Sequence, residues 1–125
     1  MQRHLDDLNS QRGQLNAQFR DLRRQIETVP PDLPGFAEVR TRFYAVEEAR
    51  GVTDFKVTLL RERFASATAA GQPEQLRQIA KEIAETHDEI RQLDELHASL
   101  QRQVRAFLAR APAQGQVEAV TAAHP

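Results

Sequence analysis

The sequence predicts an all-α fold: an up-down-up, three-helix antiparallel coiled-coil bundle with a protruding helical hairpin tip. Three observations carry this expectation. Apolar residues recur at alternating spacings of three and four along three long segments, the repeat that holds one seam of a helix against its neighbours. Apart from the terminal Pro125, every proline falls in one of three breaks: Pro30, Pro31, Pro34 with Gly35; Gly71 with Pro73; and Pro112 with Gly115. The first two breaks are short, so consecutive helices must run antiparallel.

The first helix is expected over about 3–29, with Leu5, Leu8, Arg12, Leu15, Phe19, Leu22, Ile26 and Val29 on its seam. The second is expected over 35–70, where the seam runs through Phe36, Val39, Phe43, Val46, Arg50, Thr53, Val57, Leu60, Phe64 and Ala67. Asp32 is the candidate cap at its start, since a carboxylate accepts from free helical N–H groups. Gly71 suits its end, where a left-handed residue is often needed. The third is expected over 73–110, opening on Pro73, whose missing N–H would have no partner there. Its seam is Leu76, Ile79, Ile83, Thr86, Ile90, Leu93, His97, Leu100, Val104 and Phe107. The bundle thus occupies 1–111, and residues 112–125, which lose both period and charge, are expected to form a flexible C-terminal tail.

A chain of 125 residues suffices for one domain with a modest core. With 28% charged and 40% hydrophobic residues it belongs with folded proteins rather than disordered ones. A formal charge of −1 supplies no global attraction to nucleic acid or anionic lipid. The absence of cysteine excludes disulfides, thiol catalysis and thiolate metal sites. No apolar run approaches the roughly 18 residues of a membrane span. The opening MQRHLDDLNSQRGQL has acids and no apolar core of a secretory signal, so the expected location is cytoplasmic.

Catalytic signatures are missing. There is no glycine-rich phosphate loop and no nucleophile elbow, and no cofactor is expected. The stretch His87-Asp88-Glu89-Ile90-Arg91 departs from a zinc-protease motif because Arg91 stands where the second histidine must be. Asp94 and His97 do have carboxylate–histidine spacing on a helix, and with His87 they define a metal-responsive helical protein as one alternative. The carboxylates of this region fall mostly off the seam, as a solvated face. His97 falls on it, as a polar residue that selects register.

Simple register arithmetic from the two turns sets Arg12 near Thr53, Leu15 near Arg50, Leu60 near Ile83, and Phe64 near Ile79. A polar layer of Arg12, Arg50, Thr53, Asp54 and Thr86 then interrupts the core, flanked by Gly13 and Gly51. Such a layer is a register device, a kink at which Thr53 or Asp54 recaps a new helix after Gly51, or a small-ligand site. The first helix runs out near Leu5, leaving Leu60, Phe64, Leu76, Ile79 and Ile83 uncovered at the hairpin tip as the expected partner-binding surface. Closure of the tip on Ala67, Ala69 and Ala70 is the alternative. Phe55, Leu59, Leu96 and Leu108 lie off the strict seams and widen the apolar faces.

Arginines gather at the opposite end. Arg20, Arg23, Arg24, Arg40, Arg42, Arg102, Arg105 and Arg110 converge there, and Arg23, Arg24, Arg40, Arg42, Arg102 and Arg105 are candidate phosphate contacts. A nucleic-acid-associated accessory protein is therefore the runner-up. The leading expectation is a non-enzymatic coiled-coil interaction module, of adaptor, chaperone-like or accessory type. It would assemble as a homodimer or with a protein partner through apolar helix faces, with no membrane and no small-molecule substrate.

Overall fold

The computed structural model describes the backbone of residues 1–123 and the side chains of residues 1–110. The chain forms α1 (Gln2–Thr28), α2 (Phe36–Ala70) and α3 (Pro73–Ala123), each packed against both others, with no strand among the described residues. This is the all-α three-helix bundle that the periodicity predicts. None of the described helices is long and apolar enough to cross a membrane.

The seams form one continuous core. Leu5, Leu8, Leu15, Phe19, Leu22 and Ile26 of α1 meet Phe36, Val39, Phe43, Val57, Leu60 and Ala67 of α2. Ile79, Ile83, Ile90, Leu93, Leu100, Val104 and Phe107 of α3 complete it. Each such leucine, isoleucine or phenylalanine contributes about 1.5–3 kcal/mol by leaving water. Aromatic contacts fix the levels: Phe19 stacks with Phe43 at 6.1 Å, and Phe36 meets Phe107 edge-on at 5.5 Å.

The first turn closes differently from expectation. Asp32 does not cap α2. Leu33 N–H donates to Pro30 O at 3.3 Å and Phe36 N–H to Leu33 O at 3.1 Å, a chain of tight turns that puts Gly35 at the cap position. Gly35 has φ 83°, a conformation in which a side chain would crowd its own backbone, and it carries no side-chain oxygen to cap with. Backbone turn geometry and burial of Leu33 thus decide where the helix starts, ahead of capping preference.

The second turn is as expected. Gly71 adopts φ 63°; its N–H donates to Thr68 O at 3.2 Å, and Gln72 N–H reaches Ala67 O at 3.1 Å. Those bonds satisfy carbonyls that the end of α2 would otherwise leave open, and α3 begins at once on Pro73. α2 is continuous through Gly51, so the kink alternative falls: the i→i+4 ladder runs on without recapping at Thr53 or Asp54. The helix of α3 extends to Ala123, past the end near Arg110 suggested by Pro112 and Gly115. A proline removes one N–H while holding φ near the helical value, and the surrounding alanine, glutamine and glutamate favour helix. The flexibility expected of 112–125 falls on residues outside those whose side chains are described.

Candidate interaction surface on the second helix

The hairpin tip is closed. Leu60 is 1% exposed, Ile79 0% and Ile83 4%, so three of the five residues expected to meet a partner belong to the core. Phe64 and Leu76 are half-buried and pack against it. The reason is that α1 starts at Gln2 and its buried Leu5 and Leu8 fill the level of Leu60 and Ile83, while Ala67 closes the hairpin below them. The length mismatch is real but smaller than the side chains that span it.

The polar layer divides into separate parts. Arg12 and Arg50 sit in the groove between α1 and α2 instead of the core. Arg12 donates to Asn9 Oδ1, to Thr58 Oγ1 and, at 3.1 Å, to the backbone carbonyl of Asp54. Arg50 grips both carboxylate oxygens of Glu47, at 2.9 and 2.7 Å, and donates to Asn16 Oδ1. Asn16 in turn donates to Asp54 Oδ1 at 3.0 Å, which links the two arginines. Hydrogen bonding from Glu47 raises the Arg50 pKa above its ordinary value against the opposing effect of burial, with the charges of Glu47 and Asp54 adding to the rise.

Thr53 and Thr86 stand apart from this groove. Thr53 lies between α2 and α3, 3.4 Å from Glu89 Oε2, beside a Lys56–Glu89 ion pair at 2.7 Å. Thr86 is fully buried, and its hydroxyl donates to Glu82 O of its own helix at 2.7 Å. Asn9, Asn16, Glu47 and Thr58 were not singled out from sequence, yet a signal existed. Asn9, Arg12 and Asn16 share one face of α1, and Glu47, Arg50, Asp54 and Thr58 share one face of α2.

His87 and Asp94 border one cavity between α1 and α3, and His97 is not part of its lining. His97 is buried, donates from Nε2 to the carbonyl of Gln18 at 3.1 Å, and lies 5.3 Å from the Phe19 ring. His87 is one helical face away, with Nδ1 3.1 Å from Gln11 Oε1. Among the described residues no three His, Asp or Glu side chains come together as a metal would require. Of the eight arginines expected to converge at one end, Arg20 and Arg23 line a cavity with Glu47 and Arg50 between α1 and α2. Arg24 lies 3.7 Å from Asp21, Arg42 lies 3.7 Å from Glu38 and reaches Gln103, and Arg110 covers the Phe107 ring at 4.5 Å.

What the bundle leaves open is a second apolar face on α2. Val52 is 63% exposed, Phe55 61% and Leu59 39%, at spacings of three and four that align them on one stripe. The inner seam of α2 passes through Thr53, Val57 and Leu60, so this stripe lies outside the core, bordering the Lys56 and Arg63 contacts with α3. Leu96 of α3, 46% exposed, adds to it. Leu96 stands one heptad after Glu89, which meets Lys56, and one heptad before Gln103, which meets Arg42, so it lies on the margin of α3 beside α2, level with Ala49.

No family model matches the chain, and no curated protein or solved structure resembles it at a significant level.

Proposed function

We propose that this chain is a non-enzymatic interaction module that docks another polypeptide on the outer face of α2. One observation carries the reading: three large apolar side chains, Val52, Phe55 and Leu59, form an exposed stripe on a helix whose opposite face is already packed in the core. Exposed apolar residues scattered singly need no explanation, whereas an aligned set on a rigid helix is the form that helix-docking surfaces take. Of the four residues expected from sequence to widen the apolar faces, Phe55, Leu59 and Leu96 belong to this surface, and Leu108 packs against the core.

The test is a crosslink. A photo-reactive residue placed at Val52 should capture one defined partner, or a second copy of the chain, in the native host. Phe55→Ser should remove that product while circular dichroism stays unchanged. Unchanged crosslinking in the variant, or none in either protein, would sink the reading.

A second reading rests on the arginine-rich end, to which all three helices contribute arginines. Contact with nucleic-acid phosphates predicts binding that weakens steeply as salt rises. Binding that ignores salt, or is absent at low salt, would remove it.

A further inference from the structure

We propose that the α2 stripe receives an amphipathic helix whose apolar residues are flanked by lysine or arginine, in preference to a second copy of this chain. The inference rests on the docking role of the stripe proposed above and specifies its occupant. Glu48, Val52, Phe55, Leu59 and Glu62 succeed one another at spacings of four, three, four and three, and all five are exposed. This is a complete heptad seam with an apolar centre and a carboxylate one heptad to either side of Phe55.

That arrangement works against self-pairing. If two copies crossed antiparallel about Phe55, Glu48 of each would face Glu62 of the other. A parallel pairing would set each glutamate against its own counterpart. Sliding one copy by a heptad separates the carboxylates but lays one from each copy on the other's Phe55 ring. The registers centred on Phe55 therefore oppose like charges, and the heptad slide puts carboxylates against Phe55; both features select against self-pairing.

Nor are the basic residues beside the stripe free to offset them. Lys56 and Arg63, the basic residues on the α3 side of the stripe, are held by Glu89 at 2.7 Å and by Glu82 at 2.6 Å. Among the described residues neither Glu48 nor Glu62 has an ion-pair partner. A foreign helix with leucine-like residues in its centre and a cation one heptad out on each side satisfies both features. Its two cations would stand about 21 Å apart, the axial span from Glu48 to Glu62.

The probes are three synthetic helical peptides of roughly 18 residues, enough to span that distance. One carries leucines at the central seam positions and lysines at the flanks. The second replaces those lysines by glutamate. The third keeps the lysines and scrambles the leucines. Fluorescence anisotropy with the full chain at low salt should show the lysine peptide binding about tenfold tighter than the glutamate peptide, as several exposed ion pairs together allow. The gap should narrow as salt rises.

Glu48→Lys with Glu62→Lys should reverse the preference, and Phe55→Ser should abolish binding without loss of helicity. Equal binding of the first two peptides, or equal binding of the scrambled one, overturns the proposal. So does a wild-type chain that sediments as a dimer, loses it on Phe55→Ser, and ignores the lysine peptide; that result leaves the docking role of the stripe standing. A monomer that binds no peptide and yields no crosslink from Val52 removes both.

Discussion

Arg12 of α1 donates to the backbone carbonyl of Asp54 in α2 at 3.1 Å, and its Nε lies 3.7 Å from the same residue's carboxylate. A helix carbonyl so engaged cannot slide past its partner by a turn without breaking the bond, so the contact sets how α1 lies along α2. The Arg12 side chain is 17% exposed and Asp54 38%, which places the pair in a groove that water reaches on one side.

This placement changes what substitution should do. At a buried seam position, leucine for arginine would preserve or raise stability. In the groove, Arg12→Leu and Arg50→Leu should each lower stability by about 1–2 kcal/mol, because each removes charge-assisted bonds from groups that water then only partly satisfies. The Asn16 bridge between them should make the double variant non-additive by about 0.5–1 kcal/mol. Urea denaturation of the four proteins measures this; strictly additive losses would show two independent contacts.

Ile79 and Phe55 should respond oppositely to the same change. Ile79→Glu puts a carboxylate where no surface is exposed and should lower stability by several kcal/mol. Phe55→Glu alters a side chain that is already 61% in water and should shift stability by no more than about 0.5 kcal/mol. Thermal melts of the two variants decide it. Equal losses would mean that Phe55 is covered in solution or that the tip opens.

Thr86→Val tests whether the buried hydroxyl selects register. Its bond goes to Glu82 O, four residues back on its own helix, so no other helix depends on it. The isosteric valine should change stability by less than about 1 kcal/mol and leave one sharp set of amide resonances. Doubled resonances would show that the hydroxyl does discriminate between alignments.

The glycines separate by backbone geometry. Gly71→Ala should lower stability by about 1 kcal/mol, since φ 63° strains any residue with a Cβ. Gly51→Ala, inside α2 with open space around its Cβ position, should raise stability by about 0.5–1 kcal/mol. Denaturation midpoints give the sign of each, and a loss at Gly51 would contradict the open space around it.

The heptad spacing and the breaks at Pro34–Gly35 and Gly71–Pro73 by themselves determined three helices, their up-down-up order and their pairing to within about a turn. These follow from local rules: a repeat of three and four can bury only one stripe, and short turns permit only antiparallel neighbours. What lies off that stripe was decided by tertiary structure. Leu60, Ile79 and Ile83 looked uncovered by helix length, yet side chains of Leu5 and Leu8 reach across the difference. Arg12 and Arg50 occupy seam positions by count, yet their long stems carry the guanidinium groups out to polar partners in the groove. Val52, Phe55 and Leu59 form a second periodic face on α2, and periodicity is blind to how many neighbours are present. Of the two apolar faces of α2 the described fold covers one, and only the packed structure shows which remains in water.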